Sequence, residues 1–112
     1  MGIQGGTHRY RIDKGFDVYK SVDNTAKPGV LIRSTTSGKT AYLTQIFITN
    51  TTGSSQTVTF YDENSVEKLV LIVDNNKTTE YKIAFGIPFN DVDIYARTNS
   101  GTVDITIVGM EI

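Results

Sequence analysis

The sequence predicts an all-β fold, a single-domain antiparallel β-sandwich of jelly-roll type. Three observations predict it. From Lys39 to Ile112 apolar residues recur at period two, which lines one face of a strand. Gly, Asn, Asp and Ser fall between the apolar runs at roughly ten-residue intervals, the rhythm of sandwich strands and their turns. No segment holds a helical period. The 112 residues suit one domain with one core. An immunoglobulin-like sandwich is the alternative, because strand order is not written in the periodicity.

Taken in order, Met1 to Thr7 is glycine-rich and reads as a flexible arm. His8 to Ile12 alternates polar and large residues, a short strand candidate, and Asp13-Lys14-Gly15 is a turn signal. Phe16 to Val22 is a second candidate strand, with Phe16 and Val18 on one face. Asp23 to Gly29 holds Asn, Pro and Gly and reads as a loop; Val30 to Arg33 is a short apolar strand; Ser34 to Gly38 is a second loop.

The signals then strengthen. Thr40 to Asn50 is a long β-branched and aromatic strand, and Gln56 to Asp62 alternates Val58 and Phe60 with threonines. Val66 to Val73 ends in five successive apolar residues, so a buried central position is expected. Thr78 to Phe85 sets Tyr81, Ile83 and Phe85 on one face, and Gly86 to Asn90 reads as a kink around Pro88. Val92 to Arg97 alternates again. Thr102 to Ile112 closes the chain with Val103, Ile105 and Ile107 inward. Its low charge suits either a subunit interface or a central strand. That gives roughly eight or nine strands, enough for two four-stranded sheets.

Composition narrows the function classes. Eleven basic and twelve acidic residues leave a net charge of -1, so no nucleic acid and no anionic membrane is expected as a partner. No apolar run is long enough for a membrane-spanning helix, and the first residues lack a signal-peptide core, so no secretory leader is expected. There is no cysteine, which excludes disulfides, thiolate metal sites and thiol nucleophiles.

Candidate chemistry is sparse, and no catalytic residue, cofactor or resident metal is expected. His8, the single histidine, lies beside Arg9 and Arg11, where a solvated surface role outweighs a base or ligand. No Gly-x-Ser-x-Gly elbow is present. Carboxylates around Asp62, Asp74, Asp91 and Asp93 suit turns, which outweighs a hydrolytic pair such as Asp62 and Asp91 or a Ca²⁺ site. The stretch His8, Arg9, Tyr10 and Arg11 is a candidate contact for a protein partner. Tyr42, Tyr61 and Tyr95 fall at positions open to an outward orientation, where planar rings can stack on sugars. Asn50-Thr51-Thr52 and Asn76-Lys77-Thr78 match the glycosylation pattern and read as chance.

Two segments carry a family likeness. Leu43 to Tyr61 ends a strand in Thr-Asn, crosses a small-residue turn and re-enters as Thr-Val-Thr-Phe-Tyr. Phe85-Gly86-Ile87-Pro88-Phe89 precedes Asp93-Ile94-Tyr95-Ala96 and the terminal Val103 to Gly109. In these the chain resembles the small β-sandwich virion proteins of tailed phages, of head decoration or tail and fibre accessory type. The resemblance implies a structural, non-enzymatic subunit in a virion: a homo-oligomer, with a trimer favoured, docked on a capsid or tail protein. A carbohydrate-binding β-sandwich module, Ca²⁺-dependent or not, is the alternative expectation.

Overall fold

The computed structural model describes residues 14–112. Eight strands follow one another: β1 (Gly15–Val22), β2 (Val30–Arg33), β3 (Thr40–Asn50), β4 (Gln56–Asp62), β5 (Glu67–Val73), β6 (Lys77–Asn90), β7 (Ile94–Thr98) and β8 (Val103–Glu111). They form two four-stranded sheets, in the orders β1-β8-β3-β6 and β2-β7-β4-β5. All the pairings are antiparallel. Strand β1 pairs with β8, β2 with β7, β3 with β6 and β4 with β5. The chain is thus one long hairpin of strand pairs wound across two sheets, which is the jelly-roll order. The immunoglobulin-like alternative is set aside by this order. The arm at 1–7 and the strand candidate His8 to Ile12 lie outside the described residues.

Both sheets contribute to one core. Val22, Leu43, Ile46, Ile48, Phe89, Val103, Ile105 and Ile107 of the first sheet share it with Ile32, Val58, Phe60, Val73 and Ile94 of the second. Period-two alternation places them there, and it changes phase once. Between Leu43 and Gln45 the register of β3 shifts, so the inward residues pass from Ala41 and Leu43 to Ile46 and Ile48. Gly109 is required on β8: a Cβ there would stand 2.1 Å from the Tyr42 carbonyl oxygen and 2.4 Å from the Phe16 ring.

One expectation changes, and one choice left open by the sequence is decided. The apolar β5 is an edge strand of the second sheet and not a central one. Its inward residues Leu69, Leu71 and Val73 pack on the core, whereas Val70 and Ile72 are exposed. The low-charge β8 is central, between β1 and β3, so its apolar character serves the interior of one chain.

The open ends of the sandwich are closed by polar groups. At one end Asn50, fully buried, donates to the carbonyls of Ser54 and Val73 at 2.9 and 3.0 Å. Its Oδ1 accepts from the Thr52 amide and hydroxyl. Gln56, 1% exposed, accepts from the Gly101 amide at 3.0 Å and donates to Thr52 Oγ1 at 3.1 Å. These amides tie the β3–β4, β5–β6 and β7–β8 turns together, as buried polar groups must be satisfied.

Candidate interaction surfaces

The largest departure from regular strand geometry is on β6. Its partner β3 advances two residues, from Leu43 to Gln45, while β6 runs five, from Ile87 to Lys82. The surplus residues bulge out of the sheet, and Gly86 takes a φ of +75°, which favours glycine. Phe85, next to it, is 95% exposed. Tyr42, Thr44, Ala84, Phe85, Met110 and Ile112 enclose an open, mainly apolar depression of about 320 Å³ on the outer face of the first sheet. Alternation alone places Phe85 on one face with Tyr81 and Ile83. Only those two pack on the core. The signal was Gly86 itself, an interior strand glycine that reads as a bulge.

The three candidate stacking tyrosines do not form one platform. Tyr42 is half-buried in that depression, opposite Met110 and Pro88. Tyr61 and Tyr95 are cross-strand neighbours on the second sheet. Tyr61 is only 5% exposed, which corrects its outward assignment. The reason is the β1–β2 loop: Arg97 holds the Thr25 carbonyl at 2.8 Å, and Lys27 Nζ lies 5.7 Å from the centre of the Tyr61 ring. Tyr95 is half-buried. The contact candidates His8, Arg9, Tyr10 and Arg11 lie outside the described residues.

The acidic loop residues hold backbone, apart from Asp74, which is exposed and pairs with Lys77 at 3.7 Å. Asp62 accepts from the Asn64 and Val66 amides at 2.8 and 3.1 Å, Asp91 from Gly38 at 2.9 Å, Asp93 from Thr35 at 2.8 Å and Glu63 from Asp93 at 2.9 Å. Among the described residues no three acidic, histidine or cysteine side chains gather as a metal site. Asn50 of the first glycosylation pattern is fully buried, so that side chain is not accessible.

Among the described residues one ion pair joins the sheets. Arg33 of β2 meets Glu111 of β8 at 2.8 Å, and its guanidinium lies 4.1 Å from the centre of the Phe16 ring. Burial of Glu111 raises its pKa, but hydrogen bonds from Thr36 and the Arg33 guanidinium outweigh that and bring it down to about 2.

The four sheet edges differ. Strand β2 has four residues and a register shift; β1 carries Lys20, exposed, at an inward-phase position; β6 has its bulge, Pro88 and the charges Lys77, Glu80 and Lys82. These are the usual means of blunting an edge. Strand β5 has a register shift only at its start, and from Leu69 to Val73 it carries no charge, Pro or Gly.

No protein-family model matches the chain, and no curated protein matches its sequence. Among solved structures it is similar to a protein of Bacillus endospore appendages, described as a family of disulfide-linked pili. That likeness has 14% identity and a TM-score of 0.46, over 86% of each chain. It is also similar to part of xylanase 10B from Clostridium thermocellum, solved as CBM22-1 and GH10 modules with xylohexaose. There the identity is 13% and the TM-score 0.41, over 89% of this chain but 26% of that one. Neither likeness carries an argument about what this chain does.

Proposed function

We propose that this chain is a structural, non-enzymatic subunit that self-associates and docks on a larger particle. The observation that carries this reading is the apolar surface around Phe85. A phenylalanine 95% in water, beside Met110 at 39% and Ile112 at 56%, is the kind of patch that marks a protein contact. It is built on a bulge of a long strand. The acidic loops, in contrast, hold their own backbone. The particle that the sequence resemblance implies is a phage virion, with a capsid or tail protein as the docking partner and the trimer as the favoured state. The glycan-binding reading keeps Tyr42 and Tyr95, which lie on different sheets and do not share a binding face.

Sedimentation equilibrium of the full chain at micromolar concentration tests the reading. A reversible oligomer that is weakened by Phe85→Ser, or that binds a purified capsid or tail particle through Phe85, supports it. A monomer at all concentrations that also binds no such particle overturns it.

A further inference from the structure

We propose that β5 is a self-association interface, pairing antiparallel with β5 of a second copy about a two-fold axis at Leu71. The inference rests on the self-association reading above and adds a second contact surface to the Phe85 patch. Three of the four edges are blunted, and the fourth presents Leu69-Val70-Leu71-Ile72-Val73. An uncharged, β-branched run of this kind on an open edge is an aggregation hazard in a lone subunit. Val70 is 44% exposed and Ile72 69%. A strand buried on its inner face and apolar on its outer one is composed for a position inside a sheet. Adding a strand to it supplies that position.

The backbone fixes which residues take part. Tyr81 Oη donates to the Ile72 carbonyl at 3.1 Å, from a strand of the other sheet, so this carbonyl points away from β4. In an antiparallel ladder alternate residues turn both backbone groups to the same side. Val70 and Ile72 therefore face the open edge. A two-fold axis at Leu71 sets Val70 of one copy opposite Ile72 of the other, and each pair exchanges two N–H···O bonds. The Ile72 carbonyl keeps Tyr81 on its second lone pair.

Side chains favour the same register. Val70 meets Ile72 twice across the axis, an apolar cross-strand pair on the outer face. One step further the ladder ends: Lys68 is the residue left over at the β4–β5 register shift, and its side chain turns to β6 of its own chain, with Nζ 3.4 Å from the Pro88 carbonyl and 5.5 Å from the centre of the buried Phe89 ring. The match is self-complementary, as an isologous interface requires. It joins the second sheets of two copies into one continuous sheet, and gives a dimer where the sequence resemblance implies a trimer.

The test compares wild type, Ile72→Lys and Val70→Lys by sedimentation velocity, with thermal melts to confirm folding. Wild type is expected to be a reversible dimer. Ile72→Lys and Val70→Lys should each raise the dissociation constant at least about ten-fold, since each sets a charge into both apolar cross-strand pairs. Hydrogen exchange on the wild type is a second readout: the Val70 and Ile72 amides should slow as concentration rises through the association range. An oligomer of any size that is indifferent to Ile72→Lys, or whose Val70 and Ile72 amides exchange freely, overturns the β5 interface and leaves self-association standing. A wild-type monomer throughout overturns both.

Discussion

Asn50 and Ile72 lie close together in the structure and reverse the usual rule for side chains. Asn50, a polar amide, is fully buried, while Ile72, a large aliphatic, is 69% exposed. The buried amide bonds to the carbonyl of Val73, the neighbour of Ile72. The two exceptions are therefore connected. A buried amide bonded on both its nitrogen and its oxygen fixes a turn in a single geometry. Here that turn anchors the end of β5, so the apolar edge is held rigid and presented as a preformed surface. A strand that frayed at this end would expose the same residues without a defined register.

Removing the buried partner should break this contrast most strongly. Asn50→Ala removes a donor from the Ser54, Val73 and Asp74 carbonyls and the side-chain acceptor from the Thr52 amide, while the Ser54 carbonyl keeps the Thr52 hydroxyl. The expected loss is about 2–3 kcal/mol of folding stability, since buried groups left unpaired cost their full desolvation. Chemical denaturation measures it. Amide exchange at Val73 and Asp74 should also accelerate beyond the global change, because the end of β5 is released. A loss below about 0.5 kcal/mol, within the range of ordinary surface substitutions, would mean that the turn holds β5 without Asn50.

A smaller effect is expected at the other end of the sandwich, at Glu111. Its pKa is about 2 in the folded chain, against an ordinary 4.5. A depressed carboxylate stabilises the fold above the ordinary value and loses that contribution as pH falls through the folded one. Glu111→Gln should therefore lower the melting temperature at pH 7. The gap between variant and wild type should narrow as pH falls from about 4.5 towards 2. A gap that stays constant over this window would show that the Arg33 contact acts through packing on Phe16 and not through charge.

The sequence made most strands legible, because period-two alternation in β3, β4, β7 and β8 reflects one wet and one dry face. Strand order was less legible, since it depends on which pairs meet across the sandwich. The apolar run Leu69 to Val73 shows why. A strand apolar on both faces reads as central, and nothing in one chain's sequence distinguishes burial by its own sheet from burial by a copy. The bulge at Gly86 hid Phe85 for a different reason: alternation assumes an unbroken register, and the extra residues opposite Thr44 carry Phe85 out of the sheet, although the inward phase of Tyr81 and Ile83 resumes at Ile87 and Phe89. At the candidate surfaces the tyrosines were identifiable as aromatics, but the cover over Tyr61 comes from a loop remote in sequence.

The smallest expected effect on stability is at Phe85, and it sharpens the comparison because the residue is so large. Truncating a buried phenylalanine such as Phe60 costs about 3–5 kcal/mol through lost transfer energy and the cavity left behind. Phe85 has only 5% of its surface covered, the complement of its 95% exposure, so neither contribution applies. Phe85→Ser should leave folding stability within about 0.5 kcal/mol of wild type. Its effect should appear in association or docking, where the ring has a partner to lose. Denaturation and sedimentation of the same preparation separate the two outcomes. A variant that loses stability as a monomer would make Phe85 a hinge for the β6 bulge, and would remove the reason for assigning its exposure to a partner.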